Sequence, residues 1–257
     1  MNTPDLIYQV REGVGYFTIN REQQRNTISV QALELFLKHL EEARGDENVR
    51  VICVTGSGER TFCAGADLGA GMGSGDGMAA FKNYALLLKR LAGFSKPTVA
   101  RVNGACVAGG TGFMLACDIV IAGSHSTFGT PEVNVGLFPM MIGALIFRNV
   151  LRKKAMEMIL LGEKLTALQA LEMGLITRMV APEALDSEVD KVLQILLRKS
   201  PIGMKIGKEA FYAAADMALE PALDLLAEKL VAVASTQDAR EGIMAFLEKR
   251  EPRFSGK

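Results

Sequence analysis

The chain has no net charge. Its 29 Lys and Arg residues balance 29 Asp and Glu residues across 257 positions. Nucleic acid attracts a basic excess, and none is present; no run of like charge marks a tail. No window approaches the roughly 18 uninterrupted apolar residues of a membrane span. The opening MNTPDLIYQV lacks a basic region followed by an apolar core, so no secretory signal is expected. These absences imply no nucleic acid, no membrane and a cytoplasmic setting. The four cysteines, Cys53, Cys63, Cys106 and Cys117, have no CxxC spacing and read as buried free thiols in a reducing compartment. His39 and His125 are the only histidines. With no HExxH pattern and no serine–histidine–acid constellation, they read as surface or packing residues, and no metal site is expected.

What is present is an alternation of short apolar runs with helical patterns. Val14 to Ile19 and Val49 to Val54 are rich in β-branched residues and predict strands. Between them Ser29 is placed to cap a helix with Leu33, Phe36, Leu37 and Leu40 on its apolar side. TVARV after Lys96-Pro97 predicts a strand, followed by a glycine loop, a helix near Gly110 to Cys117 and the strand DIVIA. From about Arg152 onward the pattern turns helical: Lys153 to Leu161, Ala167 to Met173, Leu185 to Lys199, Met204 to Met217 and Pro221 to Ala234. Breaks fall at Gly162, Gly174, Pro182 and Pro201. An α/β core over about the first 150 residues, then a mostly helical part, is the expected organisation. GAGMGSGDG, from Gly69 to Gly77, reads as a mobile loop and a candidate lid.

The glycines of VAGGTGFMLACDIVIA pose the chemical question. Gly110-Thr111-Gly112 begins a dinucleotide fingerprint, but Leu115 stands where its third glycine belongs. No Gly-Lys-Ser or Gly-Lys-Thr closes a phosphate-binding loop. What remains is close approach of a ligand to bare backbone, with amides at a helix start pointing outward. Thr61-Phe62-Cys63-Ala64-Gly65-Ala66-Asp67 has the same small-residue character after a strand. Two such turns can each offer one N–H to a single oxygen, an oxyanion hole worth about 2.7–4 kcal/mol per donor. Small residues at these points also serve tight strand–helix packing, so composition alone leaves both readings open.

FCAGADL, KPTVARVNGACVAGG, ACDIVIA and FGTPEVNVGLFP, in this order, resemble the crotonase superfamily, the enoyl-CoA hydratase/isomerase family. The resemblance runs from INREQQRN to AREGIMAFLEKREPRF. It implies an α/β fold: a crotonase-type ββα spiral with two roughly perpendicular sheets and the acyl-CoA site over residues 1–195, then a C-terminal helical oligomerisation region over 196–257. It further implies an acyl-CoA thioester as substrate, no cofactor beyond the CoA moiety, and a homotrimer or dimer of trimers. By its motifs the oxyanion donors are the amides of Ala66 and Gly109.

Hydratases of the family carry two glutamates. One lies six residues before the Cys-Asp aspartate, which here is Gly112; the other lies in the FGxPE motif, here Glu132. Glu132 is therefore the expected sole acid/base residue. Double-bond migration needs one carboxylate to lift a proton and return it two carbons away; a one-carboxylate hydration stays open if Glu132 both activates water and returns its proton. A thioester hydrolase or decarboxylase on the same site, and a non-catalytic acyl-CoA-binding protein, are the alternatives. Substrate and CoA contacts are expected from Gln23, Gln24, Arg25, Arg60, Ala64, Asp67, Gly112, Met140, Phe246 and Lys249. Of these, Phe246 and Lys249 reach the nucleotide from a neighbouring chain in family members, and Met140 is expected to offer a backbone N–H while its side chain narrows the pocket. Asp67 and Asp118 read as turn or cap residues.

Overall fold

The computed structural model describes residues 3–67 and 77–257. The candidate lid lies outside the described residues, except for Gly77 at its end. Two sheets organise the chain. The larger has six strands: β1 (Leu6–Arg11), β2 (Val14–Ile19), β3 (Val51–Gly56), β5 (Thr98–Val102), β7 (Ile119–Gly123) and β10 (Arg178–Val180), in that spatial order. The β1–β2 hairpin is antiparallel, and every later pairing is parallel. The smaller sheet is β4 (Thr61–Cys63), β6 (Ala105–Val107), β8 (Thr127–Gly129) and β9 (Leu165–Thr166).

The chain visits the two sheets alternately and closes each round with a helix. β3 and β4 lead to α2 (Gly77–Ala92), and β5 and β6 lead to α3 (Gly109–Leu115). β7 and β8 lead, through a 3-10 turn at Pro131–Val135, to α4 (Met140–Asn149) and α5 (Arg152–Leu161). This is the ββα spiral that the resemblance implies.

Burial on both faces explains why the central strands read as continuous apolar runs. In β3, Ile52 and Val54 join the main core with Phe17, Phe36, Leu87 and Phe113, whereas Val51 and Cys53 face Leu185, Val189, Val192 and Leu193 of α7 (Leu185–Leu197). α1 (Val30–Gly45) starts as expected: Ser29 accepts from the Ala32 amide at 3.0 Å, and Leu33, Phe36 and Leu40 are buried. All four cysteines are free and buried, and burial pushes the Cys63 thiol up to about 12, which suits packing rather than reactivity.

After α6 (Ala167–Glu172) and α7 come α8 (Pro201–Ala214), α9 (Leu219–Ala234) and α10 (Gln237–Leu247). α8 starts earlier than Met204 and Pro201 does not break it. Ser200 caps it by accepting from Gly203 N at 3.0 Å, and Pro201 takes the first helical position, where no amide is needed. These last three helices leave Phe211, Leu219, Leu230, Val231 and Phe246 exposed.

Candidate active site

Three short parallel strands deliver the expected residues to one edge. In the smaller sheet Cys63 pairs with Cys106, and Cys106 with Phe128. From this row the chain runs on in the same direction from all three strands. Ala66 and Gly109 each follow three residues beyond, and Glu132 four beyond. Carboxyl ends of parallel strands are where such sheets hold ligands.

The first two turns touch. A Cβ added at Gly65 would lie 3.0 Å from Gly109 N and 2.9 Å from the Ala108 Cβ; one added at Gly109 would lie 3.5 Å from Ala66 N. At Gly110 it would meet the Cys63 carbonyl at 2.1 Å. Glycine is what lets these two backbones approach. The Ala66 amide is aimed by a strand-like bridge: Ile28 N donates to the Gly65 carbonyl at 2.8 Å, and Asp67 N donates to the Ile28 carbonyl at 3.0 Å. That pattern turns the N–H of Ala66 away from Ile28. The Gly109 amide opens α3, where an N–H has no intrahelical partner. Among the described residues, neither the Ala66 nor the Gly109 amide donates a hydrogen bond.

Ala108 holds the second turn under strain. Its φ of 51° and ψ of −132° are rare for a residue with a side chain and cost on the order of 1–3 kcal/mol. The Gly129 carbonyl, accepting from Ala108 N at 3.0 Å, and the Thr111 amide, donating to the Ala108 carbonyl at 2.9 Å, keep it there. The Thr111 hydroxyl donates to the same Gly129 carbonyl at 3.2 Å, so α3 is tied to β8 just before Glu132.

Glu132 is half-buried, and its Oε2 is buried without a hydrogen-bond partner among the described residues. Burial raises its carboxyl above the usual glutamate range, opposed by its own main-chain amide. A buried carboxylate oxygen with no partner is costly and fits a proton-transfer group.

Gly112 is buried beneath Tyr84 of α2. A Cβ there would lie 2.5 Å from the Tyr84 hydroxyl and 2.6 Å from Ile142 Cγ2. The space over Gly112 is thus packed with a phenol and an aliphatic side chain. Tyr84, and the whole of α2, were missed in the sequence. The spacing of Ala80, Tyr84, Leu87, Leu88 and Leu91 carries the helical signal that reveals them.

The remaining expected contacts scatter. Gln23 and Gln24 lie exposed on a 3-10 turn at Glu22–Gln24. The carbonyl of Arg25 accepts from Ala64 N at 3.1 Å, which brings this stretch beside the Ala66 turn. Arg21, also missed, fastens the two: its guanidinium meets Asp67 at 2.7 Å and Asp5 at 3.2 Å. Arg60 is exposed and precedes β4, at the strand end opposite Ala66, with its carbonyl accepting from Ala105 N at 3.0 Å. Met140 requires a correction. Its amide donates to the Phe138 carbonyl at 2.8 Å, so it is not an open donor, and its side chain is exposed. Phe246 lies in α10 and Lys249 just beyond it; both are exposed, and α10 packs on α8 and α9.

His39 stacks on Tyr8 with ring centroids 4.9 Å apart, and His125 bonds the Asn103 carbonyl at 3.1 Å, so both are packing residues. Asp118 accepts from Thr98 N at 2.7 Å and pairs with Lys208, a structural bracket between β5, β7 and α8. Among the described residues no three His, Cys, Asp or Glu side chains gather to hold a metal ion, and no helix is long and apolar enough to cross a membrane.

The alternating spiral, with a candidate site at the carboxyl ends of three strands, is the architecture of the crotonase fold. A family model described as enoyl-CoA hydratase/isomerase matches residues 9–257, and the chain belongs to that family. It is 36% identical to a 2,3-dehydroadipyl-CoA hydratase of Escherichia coli K12, over 98% of this chain and 99% of that protein. It is 32% identical to a 1,2-epoxyphenylacetyl-CoA isomerase of the same organism, over 98% of each. A crystal structure of an enoyl-CoA hydratase from Mycobacterium smegmatis superposes with a TM-score of 0.94 at 32% identity, covering 98% of this chain and 99% of that one.

Proposed function

We propose that the chain moves a double bond in an acyl-CoA thioester, with Glu132 as the only carboxylate. The thioester carbonyl sits between the amides of Ala66 and Gly109. Glu132 removes a proton from carbon, the two amides hold the resulting dienolate oxygen, and Glu132 returns the proton two carbons away. Atoms balance without water, metal or redox partner, and the chemistry draws on no cofactor beyond the CoA moiety. The observation that carries this reading is the pairing of a buried Glu132 oxygen, without a partner among the described residues, with a filled space above Gly112. Syn hydration divides its labour between two carboxylates; migration needs one.

The second reading is hydration by Glu132 alone, favoured by the hydratase name of the 36% identical relative. Turnover of 3-enoyl-CoA and 2-enoyl-CoA in deuterated water, followed by mass and NMR, tests both. Migration moves the olefinic resonances with no mass added beyond deuterium exchanged onto Glu132 from solvent, hydration adds the elements of water, and a binder does neither. An inert protein with both substrates over a range of chain lengths refutes the enzymatic reading. The exposed apolar side chains of α8 to α10 support assembly as a trimer or a pair of trimers, in which Phe246 and Lys249 would meet a neighbour's nucleotide.

A further inference from the structure

The two amides of the proposed oxyanion site are held differently. Ala66 is fixed by the bridge to Ile28, but Gly109 has no side chain of its own to hold it. Its carbonyl accepts a hydrogen bond at 2.5 Å from the hydroxyl of Tyr84, which reaches over from α2. The same hydroxyl lies 3.3 Å from where a Gly109 Cβ would stand, a point itself 3.5 Å from Ala66 N. So the phenol, the Gly109 main chain and the Ala66 amide share one small space. Phe113 keeps the Tyr84 ring in place by an edge-on contact, with centroids 5.5 Å apart and planes at 81°.

We propose that Tyr84 is a positioning residue for the reaction: by donating to the Gly109 carbonyl it sets the aim of the Gly109 amide at the substrate's carbonyl oxygen. This rests on the reading of Ala66 and Gly109 as oxyanion donors. Burial above all, then the neighbouring Cys63, Cys106 and Glu132, holds the phenol well above its ordinary range. It therefore stays neutral and keeps its proton to donate, rather than serving as a base. The residue that fills the space over Gly112 thus also braces the amide that the remaining chemistry requires.

Absorption of bound cinnamoyl-CoA reads this directly, because polarising the thioester carbonyl shifts the conjugated chromophore to the red. The wild type is expected to shift it. Tyr84→Phe, which keeps the ring and loses the donor, is expected to lose half the shift or more. Its kcat should fall roughly tenfold, with KM within about twofold and the acid limb of the pH profile, set by Glu132, unmoved. A Phe variant with the wild-type shift and kcat overturns the assignment and leaves the oxyanion reading standing. No shift in the wild type overturns the oxyanion reading and this assignment with it. If the Phe variant folds poorly, 3-fluorotyrosine at position 84 keeps the shape and strengthens the donor. A larger shift is then expected, and an unchanged one overturns the proposal.

Discussion

Substituting Gly65 with alanine tests the convergence of the two turns. Gly65 has φ +93°, and its added Cβ would stand 2.9 Å from the Ala108 Cβ and 3.0 Å from Gly109 N. The backbone conformation costs a side-chain-bearing residue about 1–2 kcal/mol. The collision adds about 1–3 kcal/mol of overpacking, and its targets are the Ala108 methyl and the Gly109 nitrogen, neither of which can rotate aside. A total loss of about 2–5 kcal/mol lowers Tm by roughly 5–15 °C in a chain of this size. The collision is relieved by moving residues 108–109 away from residues 65–66. One amide then no longer faces the oxygen held by the other, and losing one donor costs about 10²–10³ in kcat. The assay is enoyl-CoA turnover well below the lowered Tm, with circular dichroism confirming that the variant is folded. A folded Gly65→Ala protein with kcat within a few-fold of wild type would refute the claim that these two turns form one site.

Glu132→Gln should lower kcat by about 10²–10⁴; undiminished turnover rejects its role. Because burial raises the Glu132 carboxyl, the acid limb of kcat/KM should lie above the ordinary glutamate range. The same shift makes ionised Glu132 a cost to the fold, so the Gln variant should gain stability over wild type as pH rises through that raised value; equal denaturation midpoints across this window would contradict it. Ala108→Gly relieves the strain at φ 51° and is expected to raise Tm while lowering kcat, since the Gly109 amide loses a rigid neighbour; a fall in Tm counts against stored strain. Gly112→Glu puts a side chain into the space of Tyr84 and Ile142, at a cost of about 1–3 kcal/mol, and should not raise hydration; a stable variant with faster hydration would show that the space is available. Sedimentation at micromolar concentration should show a trimer or larger species, and a monomer would leave the exposed faces of α8 to α10 unexplained.

Long elements were legible in the sequence because their periodicity spans enough residues to register. Ser29 and the spacing of Leu33, Phe36 and Leu40 foretold α1, and TVARV foretold β5. β4, β6 and β8 were not legible as strands, because each has three residues, too few to display an alternation. Their existence follows from pairing across the chain, which no local window contains. Tyr84 was lost for a related reason: its helix follows the glycine-rich stretch, and nothing local marks a tyrosine as facing a glycine 25 residues further on.

The site itself has an unusual sequence signature. Its two proposed donors are backbone amides, which every residue but proline possesses, so Ala66 and Gly109 carry no side-chain clue to their role. The clue lies beside them, at residues that do no chemistry. Gly65 and Gly110 are required because any side chain there would strike Gly109 N or the Cys63 carbonyl. Glu132 is the converse case, a side chain whose meaning depends on its surroundings, since its motif places it but burial of an oxygen without a partner among the described residues is what suits it to the proposed proton transfer. Resemblance named these positions; the row Cys63–Cys106–Phe128 supplies the physical reason they share one sheet edge, because parallel strands paired at that row advance together and three or four residues later leave it on the same side.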